Sequence, residues 1–448
     1  MRNRYYLGKL LFTILLSASF TWVSAQEEKE KEKENEKQVQ LGMQLMGHGE
    51  TRNGGLGDAS TEGDADNASF LMSRTRVSAD YLQKGLEARV TAQHVGVWGQ
   101  KGQGSLNLYE AWAKVSSKSG LFAQLGRVAL SYDDERIIGP NDWAMASKSH
   151  DVLRAGYEGH GHKAHLILAY NQNAENTYGG TYYVDGAQTY KTMHTLWYHY
   201  DVPKAPLGAS LLFMNVGMQG GDIGGEGFYA PNTQFQQLLG GYVNFHPKDL
   251  TVEASYYRQF GKDEDRAKID AWMTSLKVKY AFSPKVTAYA GFDYLSGDKY
   301  FAVPHDGHIG VVHHDKIRGF NPIYGSHHKF YGLMDFFYVS TYVNGFSPGL
   351  QNLYAGTTLT PTSKLRLCLS YHYMAMATEL QDMKQTLGHD FDIEASYKLM
   401  KEVSISAGFS YMSGTETMER LKRASDDNSL RWGWVSVVVT PSKCILKW

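Results

Sequence analysis

Residues 391–411 read FDIEASYKLMKEVSISAGFSY. From Phe391 to Leu399 the odd positions are Phe391, Ile393, Ala395, Tyr397 and Leu399, and the even ones are Asp392, Glu394, Ser396 and Lys398. After a tight connection at Met400–Glu402 the alternation resumes: Val403, Ile405, Ala407, Phe409 and Tyr411 interleave with Ser404, Ser406, Gly408 and Ser410. Successive side chains of a strand point to opposite faces, so this is a hairpin with one oily, aromatic face and one polar face. Such a pair suits a half-buried sheet in water, and equally a barrel wall with lipid outside and water inside.

The chain's first residues place it outside the cytoplasm. Arg2, Arg4 and Lys9, an apolar run over 10–16, and Val23-Ser24-Ala25 have the layout of a cleaved secretory signal over residues 1–25. The apolar run is too short for a membrane-spanning helix, and the rest of the chain holds no stretch of 18 or more apolar residues. Losing this segment, with its three basic and no acidic residues, takes the formal charge from −1 to −4, which argues against nucleic acid as a partner. Two cysteines, Cys368 and Cys444, support neither a disulfide framework nor a cysteine zinc site. Residues 26–37, nearly all Glu and Lys, read as a solvated charged tail. The expected organisation is signal 1–25, tail 26–37 and one β-domain over 38–448.

Between residues 38 and 440, alternation and turn chemistry mark eighteen strands. Eight connections are short, such as those at Gln83-Lys84, Pro247-Lys248 and Met400-Lys401. The others are mostly longer and richer in Gly, Asp and Asn, among them 48–68, 132–148, 174–191, 220–234, 297–349 and 415–428. Eighteen antiparallel strands with both ends in the periplasm require eight inner turns and nine outer loops. A soluble sandwich has no reason to segregate loop lengths in this way. The fold class expected is therefore all-β, an antiparallel transmembrane β-barrel of the bacterial outer membrane with short periplasmic turns and long extracellular loops. Aromatics at 13% of the chain, 30 of them Tyr, fit its interfacial girdles. Outer-membrane lipid is then one partner. Pro441, just before the aromatic-ended stretch 443–448, is expected to kink the last strand or end it early.

With the oily parity outward, the lumen receives Arg74, Arg76, Asp80, Glu87, Arg89, Glu110, Lys114, Arg154, Glu158, Lys163, Glu253, Lys277, Lys279, Asp293, Arg366, Asp392 and Glu394. Rows of both signs can set a transverse field across a pore. Arg74, Arg76, Arg89, Arg127 and Arg154 make the early strands Arg-rich. They read either as fork donors for anionic solutes or as wall-stiffening partners of Asp80, Glu87, Glu110 and Asp133, and the two readings are compatible.

Several separated stretches resemble the alginate-export porin family. They are Arg74-Thr75-Arg76, 93–99 (QHVGVWG), 109–112 (YEAW), 126–139 (GRVALSYDDERIIG) with Asn141-Asp142-Trp143, 151–154 (DVLR) and 328–337 (HKFYGLMDFF). The resemblance spans roughly 69–440. It implies an eighteen-stranded barrel passing an anionic polysaccharide, with Arg74, Arg76, Arg127, Arg136 and Arg154 along the pathway and Glu110 and Asp151 as counter-charges.

The 297–349 connection is too long for a bare link. Its apolar stretch, with Phe330, Tyr331, Met334, Asp335, Phe336 and Phe337, is expected to lid or plug the pore. His305, His308, His313, His314, His327 and His328 crowd the same loop, but their spacing matches no specific zinc pattern, so neither metal nor cofactor is expected. No nucleophile elbow, HExxH or Walker loop is present, which argues against an enzyme. Too few residues precede the second strand for the plug domain of a TonB-type transporter. The functional expectation is a passive porin-like channel for hydrophilic solutes or a linear polysaccharide, with periplasmic export partners. The alternative is a structural or adhesive barrel without an open channel, and an outer-membrane hydrolase ranks below both.

Overall fold

The computed structural model describes residues 37–52, 68–102, 104–172, 175, 177, 190–220, 232–264, 266–298, 316–335, 347–380, 382–422 and 429–448. The signal and tail expected over 1–36 lie outside the described residues.

The wall is built from β1 (Gln38–Arg52), β2 (Ala68–Gln83), β3 (Leu86–Val97), β4 (Ser105–Ser116), β5 (Leu121–Val128), β6 (His150–Gly159), β7 (His162–Tyr170), β8 (Thr192–Asp201) and β9 (Leu207–Gly220). It continues through β10 (Asn232–Phe245), β11 (Leu250–Lys262), β12 (Lys268–Ser283), β13 (Val286–Leu295), β14 (Leu350–Leu359), β15 (Leu365–Ala375), β16 (Thr386–Met400), β17 (Val403–Gly414) and β18 (Ser429–Val439). Each strand pairs antiparallel with the next, and β1 pairs with both β2 and β18, so the sheet closes on itself. This is an eighteen-stranded antiparallel barrel with no free edge. A short helix, α1 (Glu416–Lys422), sits between β17 and β18. The eight expected tight connections all lie at one end of the barrel.

Two local features went beyond the alternation. At the closing seam, the ladder between β18 and β1 covers Trp432–Val439 against Leu45–Arg52. It breaks around Pro441 and resumes as Cys444–Lys447 against Gln38–Leu41. Proline offers no ladder N–H, so the wall strand is interrupted there rather than ended. On β4, Thr91 pairs with Glu110 and Ala92 with Leu108, leaving Tyr109 as the extra residue of a β-bulge. Leu106 and Leu108 therefore face out before the bulge and Val115 faces out after it, although their numbers differ in parity.

Outward positions are large and apolar, as lipid requires: Leu125, Leu211, Leu353, Phe391, Ile393 and Phe409 are all exposed. The opposite face of the 391–411 hairpin is interior: Asp392 is buried, and Ser410 Oγ donates to its Oδ1 at 2.5 Å. Gly408 on that inner face has to be small, because a Cβ there would lie 2.3 Å from Trp434 Nε1.

Candidate functional site

The lumen is filled by chain as well as lined by wall. The β5–β6 connection, 129–149, folds inward and buries Leu130, Tyr132, Ile137 and Ile138. The β13–β14 connection contributes Phe320, Tyr324 and Tyr331 to the same apolar cluster. The two segments interlock through backbone hydrogen bonds. Tyr324 N–H donates to Ile137 O (3.1 Å), Gly139 N–H to Tyr324 O (3.0 Å) and Ser326 N–H to Glu135 O (2.9 Å). Lys148 Nζ donates to Gly325 O at 3.0 Å, and Lys329 pairs with Glu135. Four residues of the first segment, Asp133, Glu135, Asn141 and Ser147, hold left-handed backbone conformations with φ of 53°, 70°, 46° and 56°. Side-chain-bearing residues keep such angles only where surrounding contacts over-determine them.

Those contacts run around the wall. Arg136, only 2% exposed, lies 2.9 Å from Asp134 and 2.9 Å from Asp293 of β13, with its guanidinium 4.0 Å from the Phe330 ring centroid. Asn352 of β14 donates from Nδ2 to Asp293 (2.9 Å) and to Phe330 O (3.0 Å). Gln259 of β11 both donates to Asn321 O (2.6 Å) and accepts from Asn321 N–H (3.0 Å). Trp197 of β8 donates to Asp133 at 3.0 Å. On the other side Trp143 stacks on His328 at 4.1 Å and meets Trp434, His48 and Trp432 edge-on at 4.8, 5.3 and 5.8 Å. Glu135 is drawn toward a raised pKa by burial, but hydrogen bonds from Lys329 and Ser131 prevail and hold it below the usual carboxylate range. Burial pushes His327 down to about 4, helped by the Lys148 charge and opposed by its hydrogen bond to Pro322 O (2.8 Å).

The expected pathway residues fall into three groups. Arg74, Arg76, Arg89, Glu110 and Arg154 face the lumen. Arg74 and Arg76 share one carboxylate, Asp142 of the inserted loop, at 3.2 and 2.7 Å, and both donate to Ser147 Oγ. Arg89 pairs with Asp80 (2.6 Å) and Glu110 (3.3 Å). Arg136 forms the second group, a buried anchor of the inserted loop rather than a rung on a strand. Arg127 and Asp151 form the third, and here the expectation is corrected. They pair with each other at 2.6 Å on the outward parity of their own strands, shared by Leu121 and Leu125 on β5 and by Leu153 on β6. Of the expected lid, Phe330, Tyr331, Met334 and Asp335 lie in the interlocked plug, with Tyr331 buried and His328 Nδ1 2.8 Å from Asp335. Phe336 and Phe337 lie outside the described residues, as do His305, His308, His313 and His314. Among the described residues no group of three or more His, Cys, Asp or Glu is placed to hold a metal ion.

Sequence reasoning placed the plug in the 297–349 loop alone and missed the equal share of 129–149. The stretch Asn141-Asp142-Trp143 was the available signal, since a Trp in a polar connection asks for a burial site.

The barrel is similar to solved Pseudomonas aeruginosa outer-membrane proteins. It superposes on OpdO with a TM-score of 0.59 at 13% identity, covering 90% of this chain and 97% of that one. For OccK2 (OpdF) in complex with glucuronate the values are 0.58, 12%, 90% and 97%. For OpdK with vanillate they are 0.58, 10%, 92% and 99%. No curated protein matches at the sequence level. A closed eighteen-stranded wall with lipid-compatible outer residues and a charged, loop-narrowed lumen defines an outer-membrane channel. Residues 97–389 match the alginate export family, and the chain belongs to it.

Proposed function

We propose that this channel passes hydrophilic anionic solutes, of uronic-acid or linear anionic saccharide type, by passive diffusion and without a catalytic step. The observation that carries this reading is the arginine pair at the edge of the plug. Arg74 and Arg76 share the single charge of half-exposed Asp142, so the lumen carries a net positive charge where the inserted loop meets β2. Arg74 is buried and Arg76 nearly so, and both hold the inserted loop, so what a passing carboxylate would meet here is their positive field beside half-exposed Asp142 rather than free donors. Family membership and the glucuronate and vanillate bound to two structural neighbours support the same solute class. Lipid surrounds the wall in this reading, and a periplasmic partner would meet the short-turn end.

Reversal potential across a planar bilayer in a salt gradient tests the proposal. The expected result is anion selectivity that falls in Arg76→Gln. Cation selectivity of the unaltered channel would defeat it.

A further inference from the structure

The eight short turns have one feature in common. Lys84, Lys118, Lys204, Lys248, Lys285, Lys364 and Lys401 occupy seven of them, one in each, and His160 the eighth. All eight side chains are exposed. Because the strands follow one another in order and the sheet closes, these residues form a cationic ring around the periplasmic end of the barrel. The turns themselves hold two acids, Asp249 and Glu402, and Ser442 Oγ donates to Glu402 at 3.1 Å. Strand-end acids at this level lie on the lumen parity. Glu158 is engaged by His165 (2.9 Å), Asp201 by His199 (2.9 Å) and Lys163 (3.5 Å), and Glu87 faces Lys114 across the β3–β4 ladder. The connection between β1 and β2 has the opposite character: 53–67 hold four acidic residues and no basic one.

Turn chemistry alone does not ask for these cations. In the β8–β9 turn Ala205 N–H donates to Val202 O (3.2 Å) across Pro203 and Lys204, and Lys204 has φ 62°. A left-handed residue after proline is the turn position that glycine or asparagine fills with least strain. Lys248 (φ 50°) and His160 (φ 55°) hold the same backbone region. Three ring positions thus keep a long or ionisable side chain against local backbone preference, and such outliers point to a role for the side chain. The outer wall just inside the ring is aromatic. Phe245, Phe282 and Tyr397 are exposed three or four residues before Lys248, Lys285 and Lys401, and exposed Trp448 lies beside Tyr81. Aromatic girdles sit at the headgroup level, which sets the turn lysines at the depth of lipid phosphates.

We infer that this ring is a docking surface for the anionic headgroups of periplasmic-leaflet phospholipids, with the turn ammonium groups donating to headgroup phosphates. A zwitterionic headgroup carries its own ammonium, which the ring repels, so the surface selects net-anionic lipid. The inference concerns the outside of the barrel and does not depend on which solute passes through it.

The test reconstitutes the full-length barrel in mixed vesicles of phosphatidylethanolamine and phosphatidylglycerol and reads its lipid shell with spin-labelled lipids of each headgroup. The unaltered barrel should enrich phosphatidylglycerol about twofold in the shell, falling toward equality at high salt. A variant with Lys248→Gln, Lys285→Gln and Lys364→Gln, on three successive turns, should lose about half of that enrichment. A control with Lys101→Gln, Lys262→Gln and Lys268→Gln, exposed cations at the long-loop end, should keep it. Circular dichroism confirms that each barrel is folded. Enrichment that is absent from the unaltered barrel, intact in the folded turn variant or lost in the control overturns the docking surface. An unchanged lipid ratio with a reversal potential moved toward cation selectivity in the turn variant also overturns it and assigns these lysines to solute attraction. Absent enrichment with salt-sensitive binding of polyglutamate would assign the ring to an acidic protein partner instead.

Discussion

Arg136 shows how one side chain ties two loops to a wall. Its charge is buried against Asp134 and Asp293, and its flat face lies over Phe330. Removing one member of a buried pair typically costs about 3–5 kcal/mol, because the other is left uncompensated. Arg136→Met should therefore weaken the docking of the plug by about that amount while leaving the barrel closed. Larger or noisier single-channel steps are expected, with an unchanged far-ultraviolet β spectrum, and steps identical to the unaltered channel would disprove the anchor role. Arg136 and Arg127 also mark how far single residues were legible. Both read from the chain as pathway arginines. Burial makes one an anchor, and strand parity turns the other toward lipid.

The elements most visible in the sequence were the strands, since period-two alternation is a local property that lipid outside and water inside both enforce. The hairpin 391–411 folds with the alternation its sequence shows, Phe391 opposite Tyr411 and Ile393 opposite Phe409, while the irregularity between Lys398 and Met400 was not legible. The plug was half legible, because what folds it is contact between segments nearly two hundred residues apart, as between Ile138 and Tyr324. Its docking is expected to weaken in acid. His327, with its pKa lowered to about 4 in the docked loop, takes up a proton near 6.5 once the loop is released. The released state thus binds more protons between those values. This contribution to docking is complete above about pH 6.5 and is lost progressively as pH falls toward 4. Conductance recorded from pH 7 to 4.5 should show acid-promoted plug opening, and His327→Gln should remove that part of the response. The same acid response in both channels would assign the effect to other groups.

For the whole molecule, closure depends on a seam in two pieces. The stretch Cys444–Lys447 supplies the partner for the first four residues of β1, and Trp448 and Lys37 exchange backbone hydrogen bonds at 3.0 and 3.1 Å. Ending the chain at Thr440 removes that second piece and exposes an unpaired strand edge at the short-turn end. The shortened barrel should lose several degrees of thermal stability, followed by the melting of its β spectrum, while keeping the ladder between Trp432–Val439 and β1. An unchanged melting temperature would show that the second piece carries no closure energy. Strand number, the sidedness of loops and the lipid-facing parity of most of the wall were determined by the sequence alone, because each rests on local alternation or turn chemistry. Only the tertiary structure decided that 129–149 shares the plug, that β4 carries a bulge at Tyr109, and that Arg136 is buried between Asp134 and Asp293. Those outcomes depend on register and on which distant groups neutralise one another, and no local pattern of residues encodes them.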